Sequence, residues 1–132
     1  MDEDTRAFNK IMEAFGLPKG TDEEKAARKN AIQDASKYAI QVPFRVMEKS
    51  LESMEVMKAM AETGLEASIS DVGVAALCAR TAVMGAYLNV MINASGLDDK
   101  AFAEKYVKKG EELQKQAIAK EKEILALVLA KI

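Results

Sequence analysis

VGVAALCARTAVMGAYLNVMINASGL, residues 72–97, decides the fold, because Arg80 is its only charge. A helix that is apolar nearly all round must be enclosed by other helices or by lipid. The stretch is long enough for a bilayer, which needs roughly 20 residues. Yet Arg80, Thr81, Asn89 and Asn93 interrupt it, alanine outnumbers leucine, and it has neither tryptophan nor basic flanks. It is therefore read as the buried central helix, 71–95, of a soluble bundle rather than as a membrane span. Ala75, Ala79, Ala82 and Ala86 recur at steps of four and three, a smooth face for close helix packing. The other helices can cover this surface only partly, so a second chain is expected to cover the rest.

Outward from this helix, Ser70 and Asp71 are the expected caps at its start, after a loop over Gly64 to Ser70. An acidic group there also suits the positive end of the helix dipole. The preceding segment carries Ile40, Phe44, Met47, Leu51, Met54 and Ala61 at helical spacing up to Thr63, with Pro43 expected to kink or break it. Thr21 and Glu24 form a capping-box pattern that opens that helix. Gly16, Pro18 and Gly20 separate it from a first helix, Asp4 to Phe15, whose Phe8, Ile11, Met12 and Phe15 share one face. A last helix starts near Asp98 or Asp99 and runs toward Lys131, with Phe102, Tyr106, Leu113, Ala117, Ile124 and Val128 as its apolar stripe. Glu104 with Lys108 and Glu111 with Lys115 are spaced to pair on its wet face. The fold class is all-α: an antiparallel bundle of four to five long helices in a single domain, 1–132.

Composition narrows function. With 49% apolar residues the chain can build a core, and 19 basic against 21 acidic residues leave no footprint for nucleic acid. Histidine is absent, which removes the commonest general base and any Ser-His or Cys-His nucleophile. Cys78 is alone and expected to be an inert core thiol; with no signal segment, the chain is placed in the cytoplasm.

Ser70-Asp71-Val72-Gly73-Val74-Ala75-Ala76-Leu77, followed by Ala86-Tyr87-Leu88-Asn89-Val90 and Ile92-Asn93, resembles the formiminotetrahydrofolate cyclodeaminase family. Asp2-Glu3-Asp4-Thr5-Arg6-Ala7-Phe8, then Gly16 to Thr21 and Val42-Pro43, follow the same family order. The resemblance implies an all-helical homodimer, standing alone or joined to a formiminotransferase domain or chain. It implies closure of 5-formiminotetrahydrofolate to 5,10-methenyltetrahydrofolate with loss of ammonia, as in histidine degradation, or methenyltetrahydrofolate cyclohydrolase activity in some relatives. The tetrahydrofolate is then the substrate, and no tightly bound cofactor or metal is expected. Family members carry a further apolar segment, rich in Gly, Ala and Ser, before the acidic opening. Here Met1 precedes that opening directly, so the domain is expected to be N-terminally incomplete. A noncatalytic dimerisation module is the alternative that this shortfall leaves open.

Without histidine, carboxylates must carry the proton transfers. Asp71 is the first catalytic candidate, with helix capping as its ordinary role, and Asp4 is the second. Ser70, Asn89 and Asn93 are candidates for holding the substrate, the amides offering both donor and acceptor to a pterin edge. Arg80 is a candidate for an anionic group of the substrate, or a neutraliser of a nearby carboxylate. Asp71 and Asn89 share a helix face but lie about 27 Å apart, so only two copies crossing antiparallel near Arg80 could bring them together.

Overall fold

The computed structural model describes residues 2–64 and 66–132, and among these it has four α-helices and no strand. They are α1 (Asp2–Phe15), α2 (Asp22–Thr63), α3 (Ile69–Ser95) and α4 (Lys100–Leu129), with a single 3-10 turn over Glu66–Ser68 before α3. The expected antiparallel all-α bundle is what forms. Part of the expected 64–70 loop, Leu65, lies outside the described residues.

Sequence-local chemistry sets most of the boundaries. Thr21 accepts from the Glu24 amide at 3.1 Å while Glu24 accepts from the Thr21 amide at 3.1 Å, the reciprocal box that opens α2. Asp99 opens α4 by accepting from the Phe102 amide at 3.0 Å. At α3 the expected caps are corrected: Ser68 holds the N-cap position without a side-chain bond, and Ser70 and Asp71 lie within the first turn. The 3-10 turn carries the chain into the helix with the N-cap two residues before Ser70. Asp71 keeps only its favourable place at the dipole.

Pro43 does not break α2, which runs unbroken to Thr63. The missing N–H of Pro43 leaves the carbonyl of Ala39 without its helical donor. Asn93 of α3 supplies one instead, its Nδ2 donating to Ala39 O at 3.1 Å. A polar side chain from the next helix thus repairs the ladder.

Helices α2 and α4 run parallel, with α3 antiparallel between them. Lys37 reaches Asp99, Gln41 donates to Tyr106, and Lys131 donates to the Glu62 carbonyl, so both helices advance together. Their shared core is Ile40, Phe44, Met47, Leu51 and Met54 of α2, Val72, Ala76, Val83 and Val90 of α3, and Ala117, Ile124 and Val128 of α4. Every apolar α2 position read from the sequence is buried there. Tyr106 stacks edge-on to Phe44 at 5.0 Å, closing the end near Asp99.

Of three expectations about exposure, two are corrected and one stands. Helix α1 packs on α2 alone and buries Ala7 and Ala14, with Ile11 of the expected face half-buried on the same seam, while Phe8, Met12 and Phe15 face outward. Alanines let the two backbones approach closely, so the larger side chains are left on the far side. Second, α3 is central and, as expected, only partly covered by helices of its own chain: Val74, Leu77, Leu88 and Ile92 form an exposed stripe, with Leu88 at 62% and Ile92 at 69%. Of the alanine row, Ala79 and Ala86 are buried, Ala75 is half-buried and Ala82 is exposed. Third, Cys78 is exposed on that stripe rather than in the core. By length and composition alone, the helical run Glu66–Ser95 could cross a membrane.

Candidate functional site

A cleft of about 910 Å³ lies where the start of α1 meets the junction of α2 and α3. That size falls within the range of small-molecule sites. Glu3, Asp4 and Thr5 form its α1 wall. Val42, Pro43, Val46, Ala82 and Ala86 make an apolar floor, and Asn89 faces in from α3. Arg45, Lys49, Ser50 and Ser53 extend the α2 wall.

The geometry follows from the register. Counting from Asn93 on Ala39, antiparallel α3 brings Asn89 level with Pro43 and Ala82 level with Ser50. The α1 wall is fixed by Glu3, which accepts from Tyr38 Oη at 3.3 Å and pairs with Arg45. Asp4, next in the chain, is thereby set near the Asn89 end. Asn89 donates to the Gly85 carbonyl at 3.3 Å within its own helix, and that bond does not use its amide oxygen, an acceptor.

Of the residues singled out in the sequence, Asp4 and Asn89 line this cleft together. Asn93 sits one turn further along α3 with its amide nitrogen committed to Ala39. Arg80 pairs with Glu121 of α4, Nε to Oε2 at 3.0 Å, and so neutralises a nearby carboxylate. Those two atoms face each other without hydrogen-bond geometry. Ser70 and Asp71 are exposed at the far end of α3, away from the cleft. Among the described residues, no group of three or more Cys, Asp or Glu side chains is arranged for a metal ion.

Arg45, Lys49, Ser50 and Ser53 carry no motif in the sequence, and Glu3 stands in the acidic opening motif without being a site candidate. The only local signal was the basic and hydroxyl run that follows Pro43 on one side of α2. Lys49 carries a nearby partner in Glu52 at 2.7 Å, whose hydrogen bond and charge hold the ammonium above its ordinary value.

The sequence profile of the formiminotransferase-cyclodeaminase family matches residues 1–112. A methenyltetrahydrofolate cyclohydrolase of Methylorubrum extorquens is 45% identical over 98% of this chain and 62% of its own length. The formimidoyltransferase-cyclodeaminase of Gallus gallus is 38% identical over 98% of this chain and 23% of its own. A solved formiminotetrahydrofolate cyclodeaminase of Thermotoga maritima superposes with a TM-score of 0.81, covering 97% of this chain and 60% of that one. At 24% identity, that likeness speaks for the fold. The chain thus spans under two thirds of the length of these relatives. The motifs around Asp4 and Asn89, far apart in sequence, meet at one cleft of a fold shared with a solved relative, and the profile runs through both: the chain belongs to the formiminotransferase-cyclodeaminase family.

Proposed function

We propose that this chain acts in folate one-carbon chemistry, closing 5-formiminotetrahydrofolate to 5,10-methenyltetrahydrofolate with release of ammonia. The observation that carries this reading is the cleft that joins Asp4 to Asn89 across an apolar floor, in a member of this family. In the protonated substrate, N10 attacks the formimino carbon and forms the new C–N bond. The tetrahedral aminal expels its amino nitrogen as the N5 lone pair reforms a C=N bond. The proton lost from N10 leaves with that nitrogen as ammonia, so one positive charge remains on the methenyl bridge. Asp4 is suited to take the N10 proton and pass it to the departing nitrogen, and its charge favours an amidinium beside it. Asn89 is suited to the pterin edge. No tightly bound cofactor is part of this reading.

A second reading, hydrolysis of the methenyl bridge, is favoured by the 45% identity to the cyclohydrolase of Methylorubrum extorquens. The two share the C–N carbon and differ in whether ammonia or water is exchanged there. In our reading the protein works as a soluble, cytoplasmic homodimer, with a formiminotransferase domain or chain as a further partner and without nucleic acid. The exposed stripe of α3 supports pairing, since exposed leucine and isoleucine along a helix call for cover. Two copies crossing antiparallel near Arg80 would bring Asp71 and Ser70 of one beside Asn89 of the other, which is the route by which Asp71 enters catalysis.

The purified protein is incubated with 5-formiminotetrahydrofolate or with 5,10-methenyltetrahydrofolate while methenyl absorbance is followed. Rising absorbance with ammonia release supports cyclodeaminase action, and falling absorbance supports hydrolysis. No change with either, together with no folate binding, would leave a dimerisation module.

A further inference from the structure

The cleft is polar in a directional way. At one end stand Asp4 and Asn89, level with Pro43; at the other stand Lys49, Ser50 and Ser53. Ten residues of helix separate Pro43 from Ser53, about 15 Å. Between them lie Val46 and Ala86, with Ala82 opposite Ser50, an uncharged stretch suited to an aromatic ring.

The two cations of this wall differ in what they are free to do. Arg45 is tied across helices to Glu3, which also accepts from Tyr38. Lys49 pairs with Glu52, three residues along the same helix, with Glu48 also near enough to act on its charge, and the Lys49 and Glu52 side chains are largely exposed. Such surface pairs hold little energy, so an incoming carboxylate can displace Glu52 cheaply. Ser53 now donates to the Ser50 carbonyl at 2.7 Å, and the same hydroxyl can rotate outward to a ligand oxygen.

We propose that Lys49, with the hydroxyls of Ser50 and Ser53, receives the glutamate carboxylates of the folate substrate, so that the ligand lies along α2 with its pteridine at Asp4 and Asn89. This rests on the folate reading above and adds a direction and a specificity-determining residue to it. The acidic end meets the amidinium of the formimino group; the basic end meets the dianionic tail.

The test crosses residue removal with ligand truncation. Binding of 5-formyltetrahydrofolate and of 5-formyltetrahydropteroate, which lacks the glutamate, is measured by titration calorimetry on the wild type, Lys49→Ala and Lys49→Glu. Lys49 is exposed on the helix surface, and circular dichroism checks that each variant folds. Loss of a charge-assisted contact weakens the glutamate-bearing ligand by about tenfold or more, while the truncated ligand changes by less than about twofold. Equal weakening of both ligands, or no weakening of either, overturns the proposal. A wild type that binds neither ligand overturns the folate reading itself, a result distinct from the other two.

Discussion

Asn93 Nδ2 donates to Ala39 O at 3.1 Å, filling the place of the N–H that Pro43 lacks. Ala39 is buried, so its carbonyl has no easy substitute in solvent. Asn93→Ala should therefore destabilise the fold by about 1–3 kcal/mol, read as a lower urea midpoint. In a Pro43→Ala background, residue 43 can donate to Ala39 itself, and most of that cost should vanish. Equal losses in both backgrounds would contradict the repair.

Gly110 of α4 lies against the ring of Tyr87: a Cβ there would stand 2.7 Å from Cδ2 and 2.9 Å from Cε2. Alanine normally gains about 1 kcal/mol over glycine inside a helix. Here the ring would have to shift, and overpacking costs about 1–3 kcal/mol. Gly110→Ala should thus be neutral to destabilising by thermal unfolding. Combining it with Tyr87→Ala should restore the ordinary helix gain at position 110.

Asp4 is exposed in the first turn of α1, so its amide variant should fold normally. If it moves the N10 proton, Asp4→Asn lowers kcat by about 10²–10⁴-fold with little change in KM. Rate measurements with saturating 5-formiminotetrahydrofolate decide this; an unchanged kcat removes Asp4 from the chemistry.

Asp71 can serve the cleft only from a second copy, which makes subunit mixing informative. Asp4→Asn and Asp71→Asn should each be inactive alone, yet an equimolar re-associated mixture should regain about a quarter of wild-type activity by twofold symmetry. Leu88→Glu, on the exposed stripe, should abolish both the recovery and the dimer seen by sedimentation. Full activity of Asp71→Asn alone would exclude this role.

Asp99 joins α2 to the start of α4. Lys37 donates to it at 2.8 Å, and with the Phe102 amide at 3.0 Å this holds its carboxyl below the usual range, Lys37 being the larger cause. A depressed folded pKa gives stability that is present above the unfolded value and lost as pH falls through the folded one. Asp99→Asn keeps the cap oxygen but not the charge. The gap in Tm between wild type and this variant should be widest near neutral pH and close in acid.

Much of the fold was legible because its signals are local. Thr21 with Glu24 needs no tertiary knowledge, and the apolar rhythm from Ile40 to Met54 marks one helix face whatever packs on it. The outward face of α1 was not legible, because periodicity gives the width of a stripe and not which stripe a neighbour takes. Small residues won there: Ala7 and Ala14 admit α2 closely, and Phe8 does not. The start of α3 shifted for a similar reason, since the 3-10 turn over Glu66–Ser68 replaces the caps that Ser70 and Asp71 would have made. Of the cleft, Asp4 and Asn89 were marked one by one, through motif resemblance. That they meet depends on the register fixed by Asn93, and that Glu3 clasps Arg45 depends on how α1 lies; neither is written in any single segment.

Because α1 leans on α2 alone, through a small seam of Ala7, Ile11 and Ala14 and a few polar clasps, one wall of the cleft rides on the least anchored rod of the molecule. Occupancy of the cleft and seating of that rod then form one equilibrium. A ligand that touches Asp4 should shield the connector at Gly16 to Gly20 from proteases, and a loosened connector should cost affinity before it costs any of the bundle's heat resistance.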